Sequence, residues 1–171
     1  AADDNTRFND TAPTSTVFSV GTDQNVNASG SLYIAYVWCE KPGFSKIGHY
    51  VGNGQANGTF VYCGFRPKMI ICKQYDANRE WVIQDSASQA KNKSGSTTGA
   101  DAIGGNPVEQ ALFISSGVAE NSGAPDVDFY ATGFKMRSTD DLHNKSDEEY
   151  FYVAFAEAPL VGSNNVTSNA R

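Results

Sequence analysis

Short apolar runs separated by turn-forming residues make up most of this chain. The runs are rich in β-branched and aromatic residues and end at Gly, Asn, Asp or Pro, which is typical of strands. They predict ten strands: Thr16–Val20, Leu32–Glu40, Ser45–Val51, Phe60–Cys63, Met69–Gln74, Trp81–Gln84, Leu112–Ser115, Phe129–Tyr130, Phe134–Arg137 and Tyr150–Glu157. Ten short strands with turn-rich spacers favour an all-β fold, an antiparallel β-sandwich of jelly-roll-like type.

Helical patterns are scarce, and the best one lies near residues 107–112. Asn106 stands at an N-cap position, Pro107 at the first helical position and Glu109 at the capping-box position, although Ser or Thr normally leads that box. The sequence therefore predicts at most one short helix, near 107–112.

Two of the predicted strands are apolar on both faces. In Leu32–Glu40, alternate residues on each face are apolar, and the same holds for Tyr150–Glu157. A strand with two apolar faces needs cover on both sides, so both strands are predicted to be central. The second strand presents Tyr150, Tyr152 and Ala154 on one face, where the small residue admits a second sheet or a neighbouring subunit.

The same two strands resemble each other at a sequence offset of about 117 residues. The pattern Thr-x-Phe, loop, Asn-x-Ser, long strand, Glu-x-Pro occurs once over residues 16–42 and again over residues 132–159. A solenoid repeat is shorter than this. We therefore expect a duplicated hairpin at opposite ends of one sandwich, with its two long strands pairing near the centre. The alternative is a chance similarity between two hydrophobic strands.

Composition and charge exclude several classes of protein. The chain has 171 residues, 40% hydrophobic and 19% charged, which is enough for one domain with a real core. Its net charge of −6 opposes binding to phosphate backbones, so we expect no nucleic-acid partner. The apolar runs are too short to cross a membrane. The predicted organisation is a polar arm over 1–15, a sandwich over 16–161 and a polar tail over 162–171.

Catalytic and metal-binding patterns are sparse. The two histidines lie beside polar turns, which is typical of surface histidines, and no nucleophile elbow, phosphate loop or zinc motif is present. The acidic loop over residues 138–149 has enough carboxylates for a cation but lacks the alternating ligand spacing of an EF-hand, so a solvated loop is the favoured interpretation. We expect no enzyme activity, no cofactor and no metal.

The three cysteines show neither zinc-type spacing nor an even count for a disulfide framework. Cys39, Cys63 and Cys72 each lie in an apolar run, which predicts three reduced, buried thiols; a single disulfide is the alternative.

One hairpin end combines aromatic and polar side chains. Tyr75 and Trp81 flank a polar turn that contains Asp76 and Asn78. Aromatic rings beside amide and carboxylate groups are typical of sugar-binding surfaces, so these four residues are the candidate ligand-binding site. In the competing interpretation, Trp81 begins a strand and packs inward.

Four motifs follow one another along the chain, carried by residues 60–73, 81–85, 128–137 and 152–159. They have the forms G-F-x-P, W-x-I-x-D, N-G-F-x-x-R and A-F-A-E-x-P. With further similarity at 27–29, 112–113 and 119–120, they resemble, in the expected order over roughly residues 16–160, a domain of tailed bacteriophages, notably marine ones, that recurs in tail-fibre-like and other structural proteins. One departure is Ala131-Thr132-Gly133, which stands where the pattern usually has an Asn-Gly turn.

The resemblance implies a virion location and a non-enzymatic structural role in host attachment or surface assembly. It implies other virion proteins as partners, a host-surface glycan as a possible ligand, and a homo-oligomer, with a trimer favoured. The apolar face formed by Tyr150, Tyr152 and Ala154 is then the expected oligomer interface. Two alternatives stay open: a capsid decoration or head-fibre protein, and a glycan-cleaving spike enzyme.

Overall fold

The computed structural model describes residues 6–87, 106–120 and 126–158. The chain divides into two compact units, residues 1–38 and residues 39–171. All eight strands described below lie in the second unit, whereas the predicted sandwich includes residues 16–38. Of the predicted polar arms, residues 1–5 and the whole tail over 162–171 lie outside the described residues.

The second unit contains eight strands in two antiparallel sheets, as the all-β prediction requires. The strands are β1 (Ser45–Val51), β2 (Phe60–Tyr62), β3 (Pro67–Gln74), β4 (Val82–Asp85), β5 (Leu112–Phe113), β6 (Val127–Tyr130), β7 (Gly133–Met136) and β8 (Glu149–Ala156). One sheet has the order β1-β8-β3-β4-β5, and the other has the order β2-β7-β6. Every paired strand is antiparallel.

β8 is an interior strand of the larger sheet, between β1 and β3. Its inward-facing residues Tyr150, Tyr152 and Ala154 are buried. The ring of Tyr152 lies edge-on against Phe134 of the smaller sheet, with 5.3 Å between ring centroids. Tyr150 stacks on Tyr50 of β1 at 5.2 Å. The core of the sandwich is therefore an aromatic cluster organised around β8.

The first unit contains one helical turn, α1 (Gln24–Asn27), with Asp23 as its N-cap. The predicted strands Thr16–Val20 and Leu32–Glu40 are wrong, because neither stretch pairs with another strand among the described residues. The side chains of residues 32–38 are exposed, so the apolar faces that predicted a central strand are not covered. The duplicated hairpin within one sandwich is therefore also wrong.

The helix predicted near 107–112 is absent there; the one helix of the described residues is α1. Val108 instead forms an antiparallel bridge with Val127, with N···O distances of 2.7 and 3.1 Å. The side chain of Asn106 binds both backbone groups of Phe129, donating at 3.0 Å and accepting at 2.8 Å. Asn106 thus extends the edge of β6 instead of capping a helix, because the β6 backbone offers it two partners.

Candidate functional site

The four candidate ligand-binding residues lie together at one hairpin end, the connection from β3 to β4. Tyr75 follows the last residue of β3, and Trp81 precedes the first residue of β4. Tyr75 is 63% exposed and Trp81 39%, and both Asp76 and Asn78 are exposed between them. We call these four residues the tip surface.

The backbone of this hairpin end is held by hydrogen bonds from β3 and β8. Lys73 Nζ donates to the carbonyl oxygens of Gln74 and Ala77, at 2.6 and 2.7 Å. The backbone N–H of Tyr75 donates to the carbonyl oxygen of Glu149 at 2.8 Å. The tip surface is therefore mounted on a braced turn, which limits the ordering entropy that a ligand would have to offset.

Trp81 rests on the outer face of the large sheet. Its ring lies edge-on to Phe151, with 6.0 Å between centroids, and its backbone N–H donates to Ser115 Oγ at 3.0 Å. Ser115 Oγ also donates to the carboxylate of Glu80. One part of the indole thus contacts the sheet while the rest faces solvent, so the inward-packing interpretation is only partly correct.

Arg79 connects the tip to the loop that precedes β8. Its guanidinium lies 2.7 Å from Asp141 Oδ2, and both side chains are half exposed. The sequence interpretation did not single out this pair, because the partners are far apart in the chain. The side chains of Asp76 and Asn78 are exposed and make no ion pair with another described residue, which leaves them accessible to a ligand.

Tyr150, Tyr152 and Ala154 do not form an oligomer interface surface in this structure, and that expectation is corrected. All three side chains are buried between the two sheets of their own unit. The apolar face that suggested a neighbouring subunit is covered by the smaller sheet of the same chain. Burial also raises the pKa of Tyr152 to about 12.

Several acidic residues bind neighbouring protein groups. Asp128 pairs with Arg137 at 3.3 Å, and Asp141 pairs with Arg79. Asp140 Oδ1 accepts from the backbone N–H of Leu142 at 2.7 Å. Across 6–87, 106–120 and 126–158, no group of three or more His, Cys, Asp or Glu side chains is arranged to hold a metal ion.

The thiols and histidines divide into buried and exposed ones. Cys63 and Cys72 are buried, and burial raises the pKa of each thiol to about 12. All three cysteines are free, but Cys39 is exposed, which corrects the prediction of three buried thiols. His143 is buried rather than on the surface, and burial lowers its pKa to about 3. Its ring nitrogens have no hydrogen-bond partner among the described residues.

Asn144 is the polar residue that sequence interpretation missed. It is fully buried, and Nδ2 donates to Asn53 Oδ1, to the Gln55 carbonyl and to the Ser138 carbonyl at 2.8–3.0 Å. Asn144 Oδ1 accepts from the backbone N–H of Asn53 at 3.0 Å. It fastens the loop before β8 to the loop after β1. The available signal was the Asn-x-Ser pattern shared by residues 27–29 and 144–146.

A protein-family model matches most of the chain. The model of a family described as a domain of unknown function, DUF7483, matches residues 1–159. Neither the comparison with curated proteins nor the comparison with solved structures gives a match. Within the described residues, no helix has the length and apolar character needed to cross a membrane.

Proposed function

The chain belongs to the DUF7483 family, and we propose that it is a structural and adhesive domain of a tailed-bacteriophage virion. In this proposal it catalyses no reaction. It holds a virion surface together and contacts a host-surface glycan through the tip surface. The sequence motifs that resemble phage structural proteins are one support for this role.

The observation that carries the adhesive part of the proposal is the exposed aromatic pair on a braced turn. Tyr75 and Trp81 present ring surface to solvent, and the polar groups of Asp76 and Asn78 lie between them. A sugar ring has an apolar face and a polar edge, so it can stack on an aromatic ring and hydrogen-bond to neighbouring amide and carboxylate groups.

Binding to bacterial cells tests the tip surface. Single sites for sugars are weak, so the full chain is displayed in many copies on fluorescent beads and mixed with cells of the host strain. Tyr75→Ala and Trp81→Ala are expected to reduce bead binding by about tenfold, which corresponds to about 1.4 kcal/mol. Tyr62→Ala is the matched control, because Tyr62 is equally exposed, at 67%, but lies on β2.

Three results are informative here. Loss of binding for the tip variants alone supports the proposal. Equal binding by all variants, or equal loss with Tyr62→Ala, contradicts a glycan site at the tip surface. Release of sugar from purified cell-surface polysaccharide by the chain would contradict the non-enzymatic role.

Labelling of virus particles tests the virion location. Gold-labelled antibodies against the purified chain are expected to bind phage tails in electron micrographs. Labelling of the capsid would instead support the decoration or head-fibre alternative, and unlabelled particles whose genomes encode the chain would contradict a virion role.

Self-association is part of the same proposal, with a trimer favoured. The surface involved is not the buried face of β8. Sedimentation of the full chain is expected to show an oligomer at micromolar concentration, and a stable monomer at that concentration would count against this part of the proposal.

A further inference from the structure

The loop that precedes residues 32–40 has the same capping geometry as the loop that precedes β8. Asp23 Oδ1 accepts from the backbone N–H of Asn25 at 2.7 Å, and Asp140 Oδ1 accepts from Leu142 at 2.7 Å. The backbone carbonyl of each aspartate also accepts hydrogen bonds from the backbone N–H groups three and four residues after it, at 2.8–3.1 Å. Each pair of equivalent residues is 117 positions apart.

The asparagine of each loop repeats a second contact at the same offset. Asn27 Nδ2 donates to the carbonyl of Gly21 at 2.8 Å, and Asn144 Nδ2 donates to the carbonyl of Ser138 at 2.9 Å. Both contacts span six residues. The two loops therefore agree in side-chain geometry as well as in sequence pattern.

The first tyrosine after each loop repeats a third contact. Tyr33 Oη accepts from the N–H of Ala28 at 2.8 Å and donates to the carbonyl of Gln24 at 2.6 Å. Tyr150 Oη accepts from the N–H of Lys145 at 3.0 Å and donates to the carbonyl of Asp141 at 2.7 Å. Chance similarity of two apolar strands does not account for a shared set of loop hydrogen bonds.

One backbone feature of the loops also repeats. Gly30 and Asp147, again 117 positions apart, both have a positive φ, of 77° and 63°. Glycine adopts a positive φ readily, but a residue such as Asp147 seldom does. The positive φ at both equivalent positions therefore indicates a common loop structure.

The segments after the two loops have different surroundings. Residues 150–156 enter the sheet as β8, with strands on both sides. Residues 32–38 form no strand within the described part of the chain, and Leu32 and Ile34 are 99% and 82% exposed. An exposed stretch with apolar residues on both faces is a strand without its neighbours.

We propose that residues 16–40 belong to a second module of this fold, in which they correspond to β8 and the segment that leads into it. This second module precedes residue 41 in a tandem array. Residues 32–39 then pair between a β1-type and a β3-type strand, as β8 does. In the described module, β8 already occupies the position between β1 and β3. The strands that pair with residues 32–39 therefore belong to another copy of the module. This inference does not depend on a role in a virion.

The equivalence assigns particular contacts in the second module. Tyr33 stacks on a tyrosine equivalent to Tyr50, because Tyr150 stacks on Tyr50. Asn27 Oδ1 accepts from the backbone N–H of a residue equivalent to Asn53, as Asn144 Oδ1 does. Asn27 is exposed in the present chain, so its Oδ1 is accessible for this bond.

Hydrogen exchange measured by mass spectrometry tests the proposal on two proteins. The first is the full chain, and the second is a tandem chain in which residues 41–131 of the same sequence are placed directly before Thr16. In the full chain, the amides of residues 33–39 are expected to exchange at least about 100-fold faster than those of residues 150–156. In the tandem chain, residues 33–39 are expected to slow by at least about 100-fold.

Two further tandem chains keep the test decisive. The first carries the three substitutions Ala35→Tyr, Val37→Ala and Cys39→Ala, which give the strand the inward-facing side chains of β8. It allows for the case in which the cores of the two modules differ in sequence. A tandem chain with residues 41–131 in scrambled order is the matched control.

Slowed exchange of residues 33–39 in either unscrambled tandem chain, but not in the scrambled one, supports the proposal. Fast exchange in both unscrambled chains overturns it, and so does slowed exchange in the scrambled chain. Strong protection of residues 33–39 already in the monomeric full chain also overturns it, because those residues would then have a partner within their own chain.

Discussion

At the scale of single residues, Asn144 shows how a buried polar group can fix the position of two loops. Its amide hydrogen-bonds to Asn53, Gln55 and Ser138 beside the close approach of Gly52 to Lys145. A Cβ atom at Gly52 would lie 2.2 Å from the carbonyl oxygen of Lys145. One buried side chain thus supplies hydrogen bonds where the two loops pack closely together.

Replacement of Asn144 is expected to be strongly destabilising. Asn144→Leu removes four hydrogen bonds of a fully buried amide and leaves groups of Asn53, Gln55 and Ser138 without this partner. The expected loss in the free energy of unfolding is about 3 kcal/mol, measured by urea denaturation. Asn57→Leu is the control, since Asn57 is exposed in the same loop region. A loss for Asn144→Leu no larger than that of the control would contradict the structural role of this side chain.

His143 is expected to make the free energy of unfolding depend on pH in the acidic range. Its folded pKa of about 3 lies below the ordinary value of 6.5, because burial disfavours the charged ring. The unfolded chain therefore binds a proton below about pH 6.5 that the folded chain does not bind. The stability associated with the neutral ring is present above that pH and is lost as the pH falls towards 3.

The equivalent residue in the first loop, Val26, suggests the variant that tests this. Between pH 7 and pH 5, the free energy of unfolding of the natural chain is expected to fall by about 2 kcal/mol more than that of His143→Val. Carboxylates titrate in both proteins, so their contribution cancels in the difference. Denaturant unfolding at several pH values measures it. Parallel pH profiles would show that His143 does not remain neutral in the folded chain.

At the scale of elements, the alternation of apolar residues predicted the sandwich strands well. Ser45–Val51 was predicted with its observed bounds, and the other seven strands of the second unit were located within a few residues. Local pattern was sufficient because these strands alternate or are continuously apolar, and Gly, Asn or Pro ends them. Leu32–Glu40 has an equally strong pattern but no partner strand within 6–87, 106–120 and 126–158. Pairing is a property of the whole sheet that local sequence does not contain.

At Gly133, the first residue of β7, the close approach of β7 to β2 leaves no room for a side chain. A Cβ atom there would lie 2.0 Å from the carbonyl oxygen of Val61, the neighbour of its β2 partner Tyr62. Gly133→Ala is therefore expected to separate β7 from β2 and to cost about 3 kcal/mol. Gly117→Ala is the matched control, because a Cβ there has no atom within 4 Å. Thermal unfolding of both variants compares them, and equal melting temperatures would contradict the close approach.

At the scale of the whole molecule, the tip surface could be predicted from the sequence because its residues lie within seven positions of each other. The ion pair between Arg79 and Asp141 and the hydrogen bonds of Asn144 could not be predicted in this way. Each of them joins segments that are far apart in the sequence and that only the folded sheet brings together. Burial was also misjudged for two single residues. Cys39 lies in an apolar run but is exposed, whereas His143 lies beside a polar turn but is buried.

The three thiols report the integrity of the whole sandwich. Cys63 and Cys72 belong to the core, and their raised pKa keeps them protonated at pH 8, whereas Cys39 is exposed. Because the thiolate is the reactive form, a disulfide reagent at pH 8 is expected to modify one thiol per folded chain quickly and all three in concentrated urea. Cys39→Ser should abolish the fast reaction in the folded chain. Fast modification of a second thiol without denaturant would mean that the two sheets separate readily, and the aromatic core around β8 would then not be the stable centre of the molecule.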